Sequence, residues 1–204
     1  MKLLIATHNP GKAREYRDIL AGLELDITDL DQEGITLEPE ETGATFAENA
    51  VLKARAFAAE SGLLTLADDS GLEVDALNGK PGVYSARYGG TGRGEDVKRY
   101  ERILAKLAGV PWERRTARFR CVIALAQPDG PVQTREGTLE GFIAHRPRGT
   151  YGFGYDPIFY IPEFERHLAE LDPATKHRIS HRGRAARAAL PLITRMLKGG
   201  GSDV

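Results

Sequence analysis

The sequence predicts a mixed α/β fold. Short apolar runs of strand length, such as Lys2 to Ala6 and Leu63 to Ala67, are interspersed with longer stretches whose apolar residues recur at helical spacing. Asn78-Gly79 and Asp129-Gly130 mark turns, and the second joins two strand-like runs as a hairpin.

Lys2 to Ala6 reads as the first strand and ends in Thr7-His8-Asn9-Pro10-Gly11-Lys12. A helix over 11–20 follows, with Ala13, Tyr16, Ile19 and Leu20 on one face. A strand, a polar Gly-containing loop and a helix N-terminus together form a generic phosphate holder, to which Lys12 adds a positive charge. The loop is neither a Walker A sequence nor a dinucleotide-binding glycine fingerprint, and turning the chain is its plainer reading. The next helix spans 45–61. Thr45 and Glu48 have capping-box spacing, Phe46, Ala50, Ala54, Phe57 and Ala58 face a core, and Asn49 and Lys53 lie one turn apart on the polar face. Strands are expected at 63–67 and 72–76. Between them stands Asp68-Asp69-Ser70-Gly71, placed at the tip of the first. A third helix over 95–108 carries the stripe Val97, Tyr100, Ile103, Leu104 and Leu107. Strands follow at 117–126, 132–140 and 158–161, then a final helix over 180–197 that Pro191 should kink or split. Residues 1–198 read as one domain, and 199–204, rich in glycine, as a flexible tail.

Two neighbouring carboxylates repel each other unless they share a proton or a cation, so Asp68-Asp69 suggests a hard ion such as Mg2+. Turn capping is the competing reading, since Asp, Ser and Gly all form turns. Composition narrows the function classes. A formal net charge of -1 in 204 residues leaves no global basic field for non-specific nucleic-acid binding. The single cysteine, Cys121, excludes an intramolecular disulfide and a Cys-rich zinc site; its apolar run suits a small buried residue better than a nucleophile. Zinc-protease His spacing is absent. No signal peptide and no membrane-spanning apolar stretch are visible, so a soluble cytoplasmic protein is expected.

The motifs in order are T-x-N-x-x-K at Thr7, Glu40-Glu41-Thr42-Gly43 before Thr45 to Ala50, and A-D-D-S-G-L at Ala67. Lys80-Pro81-Gly82-Val83-Tyr84-Ser85-Ala86-Arg87, Gly152 to Pro157, and Ser180-His181-Arg182 complete the series. Together they closely resemble the inosine/xanthosine triphosphate pyrophosphatases, the Ham1-like house-cleaning family, from Met1 to about Leu197. The resemblance implies an elongated α/β fold, with a long central mixed β-sheet and flanking helices forming two lobes around an active-site cleft. It implies Mg2+-dependent cleavage of deaminated purine triphosphates (ITP, dITP, XTP) to monophosphate and pyrophosphate, by a homodimer. Asp69 is matched to the general base and, with Glu41, to the metal site. Thr7, His8, Asn9, Gly11, Lys12, Lys53 and Ser70 are matched to the phosphate side; His8 stands where relatives often carry Gly. Asp68 and Glu40 are adjacent acids whose roles the sequence does not separate.

Base recognition is matched to Phe153, Gly154, Tyr155 and Asp156, and Lys176, His181 and Arg182 are matched to the substrate's base and phosphate. The glycines flanking Phe153 and Tyr155 let flat rings stand clear of the backbone for a purine to slide against. His181 could instead be an exposed residue opening the last helix, with Ser180 as its N-cap. Arg178, Arg184 and Arg187 read as a solvated basic face. Two rival functions stand beside this one. A Maf-like pyrophosphatase would carry a Ser-Pro-Arg-Arg type loop, which is missing. A nucleotide- or RNA-binding module using 176–187 would leave Asp68, Asp69 and Glu41 without a purpose.

Overall fold

Strand β1 (Lys2–Ile5) buries Leu3, Leu4 and Ile5 at 1% exposure or less, the pattern of a strand covered on both faces. The computed structural model describes residues 2–21, 24–90 and 94–198. After β1 come α1 (Pro10–Leu20), β2 (Asp26–Asp29), α2 (Phe46–Ser61), β3 (Leu64–Val74), α3 (Asp96–Lys106), β4 (Thr116–Ala126) and β5 (Gln133–Ile143). Then follow β6 (Phe159–Ile161), β7 (Arg166–His167), α4 (Pro173–Ile179) and α5 (His181–Lys198). The strands form a seven-stranded sheet in the order β2-β1-β3-β4-β5-β6-β7. β1 runs parallel to β2 and β3, whereas β6 is antiparallel to β5 and β7, so the sheet is mixed and the expected α/β class holds.

The chain forms two compact units. The first comprises Met1–Asp69, Cys121–Gly137 and Arg182–Val204; the second comprises Ser70–Arg120 and Thr138–His181. In the first, the apolar face of α1 (Tyr16, Leu20) and that of α5 (Ala186, Ile193) pack with Leu3, Leu66 and Ile123 of the strands. In the second, Ile103 and Leu107 of α3 join Leu72, Phe119, Phe159 and Leu168. Val97 leaves the expected α3 stripe and is 53% exposed.

Several local expectations change. The strands expected at 63–67 and 72–76 are one continuous strand, β3, so Asp68-Asp69-Ser70 lies in mid-strand and not at a tip. The polar triplet does not break the strand because both carboxylates find cations, as described below. Pro191 does not split α5, which runs from His181 to Lys198 with the proline on an exposed position. β2 and α4 were not expected. β2 reads Asp-Ile-Thr-Asp, too polar for an apolar run, and α4 opens on Asp172-Pro173, a turn signal that is equally a helix N-cap followed by Pro at the first position. The tail over 199–204 lies outside the described residues.

Candidate active site

Adjacent side chains of an extended strand point to opposite faces. Asp68 and Asp69, in the middle of β3, therefore cannot share one cation, which corrects that part of the sequence reading. Asp68 Oδ2 lies 3.0 Å from Lys12 Nζ and 3.7 Å from Arg182 Nη2, with Cys121 Sγ at 3.6 Å. Asp69 meets a different set: its Oδ1 accepts from Lys53 Nζ at 3.1 Å and its Oδ2 from Asn49 Nδ2 at 3.4 Å. Lys53 Nζ also donates to Glu41 Oε1 at 2.7 Å, so one ammonium bridges two carboxylates.

The two acids differ electrostatically for that reason. Burial alone would push Asp68 up, but Lys12, Arg182 and Lys53 outweigh it and hold the carboxyl well below the usual range. Burial also pushes Asp69 up, Lys53 and Lys12 offset it only in part, and Glu41 adds repulsion, so Asp69 stays above the ordinary carboxylate value. For Lys53 the carboxylates of Asp69, Asp68 and Glu41 overcome the burial that would favour the neutral amine, and its affinity for the proton rises. A buried structural ion and a raised, partly relieved carboxylate thus stand side by side in sequence.

Local sequence explains how each group is held. Asn9 caps α1: its side chain accepts from the Lys12 N–H at 3.1 Å, and Pro10 occupies the first helical position. The Asn9 N–H is bonded in turn to Thr7 Oγ1 at 3.2 Å. His8, one residue before, contacts the Leu37 carbonyl at 2.8 Å and packs edge-on to Phe57, so its imidazole ties the loop down. Gly11 lies within the first turn of α1. Glu15, one turn on from Lys12, is 6% exposed and pairs with Arg182, itself 2% exposed. The capping box at Thr45 and Glu48 forms as the spacing requires. Beyond it Asn49, fully buried, accepts from the Gly43 N–H at 2.8 Å while its amide reaches Asp69. A Cβ on Gly43 would come within 2.7 Å of Asn49 Oδ1, so only glycine lets the Glu41 segment approach α2 this closely.

Asn49 and Glu15 were missed as site residues. Each sits one helical turn from a named lysine, and that spacing was the available signal. Cys121 is buried and its thiol is pushed up to about 12, first by burial and then by Asp68, which suits an inert core residue.

The second unit holds the other candidates. Ser70 follows Asp69 on β3 and is partly buried. Asp156 and Lys176, 4% and 3% exposed, pair at 2.5 Å. Asp156 also accepts from the Phe153 N–H at 2.9 Å, and the Lys176 ammonium lies 4.9 Å from the Phe153 ring centroid. Gly152 has φ +79, and a Cβ there would sit 2.0 Å from Asp156 Oδ2, so this turn admits no side chain. Tyr155 departs from the sequence reading: its ring is folded into the core at 5% exposure, with its hydroxyl donating to the Ser85 carbonyl at 2.8 Å. His181 does open the last helix, α5, but it is buried at 4% exposure, not exposed, and it stacks on Phe119 at 4.7 Å. Arg178, Arg184 and Arg187 are exposed.

A capped helix start bearing a lysine, with buried carboxylates held by two further cations, defines an α/β protein equipped for phosphate chemistry. The Ham1 family model matches residues 3–192, and the chain belongs to the Ham1 family. It is 48% identical over 196 residues to a dITP/XTP pyrophosphatase of Desulforamulus reducens, covering 96% of this chain and 97% of the relative. A dITP/XTP pyrophosphatase of Thermus thermophilus is 50% identical over 190 residues, covering 93% and 90%. Among solved structures, the HAM1 protein of Coxiella burnetii superposes with a TM-score of 0.84 at 42% identity, covering 96% of this chain and 99% of that one. The Staphylococcus aureus Ham1 protein gives 0.82 at 39%, covering 98% and 100%. Membership sets aside the Maf-like alternative. No helix among the described residues is long and apolar enough to cross a membrane.

Proposed function

We propose that this chain hydrolyses deaminated purine nucleoside triphosphates (ITP, dITP and XTP) to the monophosphate and pyrophosphate in the cytoplasm. The observation that carries the chemistry is the Asp69–Lys53–Glu41 bridge. Two carboxylate oxygens that converge on one ammonium mark a position suited to a hard cation. Mg2+ is bound through one or two carboxylates plus water and substrate phosphates, a demand that two such oxygens can meet. Asp69 and Glu41 would hold it, and when bound it supplies neutralisation of phosphate charge.

The chain's own residues do the rest. Lys12 and Lys53 bring positive charge to the polyphosphate, Thr7, His8, Asn9 and Gly11 shape the loop that receives it, and Ser70 helps to position it. Asp69 accepts the proton of the attacking water. Its raised proton affinity makes it a stronger base than an exposed carboxylate.

The base is assigned to Phe153, Gly154, the Asp156–Lys176 pair and His181; Tyr155 and Arg182 act from the interior by holding neighbours in place. Hypoxanthine and xanthine carry an acceptor oxygen at C6, whereas adenine presents an amino group to the same donors. Such a mismatch lowers kcat/KM by roughly 10⁴. Guanine shares the C6 oxygen and is excluded at its 2-amino group. Nothing in the site calls for a 2′-hydroxyl, so ribo and deoxy forms should both react. The test is pyrophosphate release from ITP, XTP, dITP, GTP and ATP, with Mg2+ and with excess EDTA. ITP, XTP and dITP should lead, and EDTA should abolish turnover. Equal turnover of ATP, a diphosphate product, or full activity in EDTA would overturn the substrate, the bond cleaved or the metal, respectively.

The family resemblance further supports a homodimer. Light scattering at micromolar concentration should give twice the 22.3 kDa chain mass; a monomer mass refutes it.

A further inference from the structure

We propose that Asp96, in the first turn of α3, is a positioning residue for the purine-binding loop. The inference rests on the function proposed above, in which Phe153 lies against the base. Asp96 Oδ2 accepts a hydrogen bond from the Gly154 N–H at 2.7 Å, and its other oxygen pairs with Arg99. Arg99, 7% exposed, is anchored in turn by donating to the Ala86 carbonyl at 3.0 Å. Next to Gly154, the Tyr155 hydroxyl donates to the Ser85 carbonyl at 2.8 Å. Ser85 Oγ accepts from the Leu72 N–H at 2.9 Å and donates to the Gly82 carbonyl at 2.6 Å, which ties the 82–87 segment to β3.

These bonds share one consequence. Gly152 and Gly154 both adopt left-handed φ, +79 and +65, and glycines have many alternative conformations of similar energy. The loop's shape is therefore imposed by its neighbours. Asp156 fixes the Phe153 amide from within the loop, while the next amide, between the two aromatic residues, is fixed from outside by the α3 carboxylate. An ionised acceptor makes a stronger bond to a backbone N–H than a neutral one does. Asp96 has no part in the phosphate chemistry, so its effect should be confined to the base.

Asp96→Ala and Asp96→Asn separate this from a general structural role. With Ala, KM for ITP should rise about tenfold, the scale of one charge-assisted hydrogen bond, with kcat within about twofold. The competitive Ki of inorganic tripolyphosphate, which has no base, should not move. Amide exchange at Gly154 should accelerate. Asn keeps an acceptor oxygen and should restore KM to within about threefold of the parent. If the Ala variant does not fold, Asp96→Ser keeps a helix-start residue whose shorter side chain cannot reach Gly154. Equal weakening of ITP and tripolyphosphate, or an unchanged KM, overturns the proposal. So does unchanged exchange at Gly154, a readout that needs no turnover. Absence of ITP hydrolysis by the parent chain would instead refute the proposed function.

Discussion

Asp69→Asn is expected to lower kcat for ITP by about a hundredfold or more, with the fold intact and the melting temperature no lower than the parent's at neutral pH. The substitution keeps shape but removes the proton acceptor and one of the two carboxylates facing the Lys53 ammonium. Stability should not suffer, because burial and then the repulsion of Glu41 both work against the charged carboxylate at this position. A neutral amide relieves both, and Lys53 retains Glu41 at 2.7 Å. Near-normal turnover of this variant would move the base elsewhere. A large fall in melting temperature would show that the Lys53 bridge holds the fold more than the chemistry.

Asp68→Asn should do the opposite. It leaves Lys12 and the buried Arg182 without the carboxylate that balances them, a loss of about 3–5 kcal/mol for breaking a buried ion pair from one side. For a chain of this size that corresponds to a fall of roughly 10 °C in melting temperature. The acid limb of the parent's stability supplies a second reading. The folded carboxyl titrates well below its unfolded value of about 3.9, so the folded state binds fewer protons in that interval. Its contribution is complete above about pH 4 and disappears as pH falls toward the folded value. The Asn variant should lack that component of acid sensitivity. An unchanged melting temperature and the same acid profile would mean that Lys12 and Arg182 are balanced by other groups, Glu15 first among them.

How much of this was legible in the sequence depends on the range of the interaction involved. The capping box at Thr45 and the buried faces of α1 and α2 follow from residues within two turns of one another, and they appeared as read. The continuity of β3 did not. Asp68-Asp69-Ser70-Gly71 has the composition of a turn, and it becomes strand because Lys12, Lys53 and Arg182 arrive from distant parts of the chain to satisfy it. The same long reach explains the carboxylates: they are neighbours along the chain, yet strand alternation hands them to separate partners. Tyr155 misled for a related reason. Flanking glycines permit a ring to stand clear but do not require it, and the Ser85 carbonyl, seventy residues earlier, draws it inward.

The alternation at Asp68 and Asp69 also decides what a mutational survey of this chain would record. Scored by the amount of protein surviving in the cell, position 68 would look indispensable and position 69 tolerant. Scored by turnover, both would look indispensable, and 68 would be mistaken for a member of the reacting set. Only the two scores read against each other would distinguish the acid that lets the chain fold from the acid that lets it react.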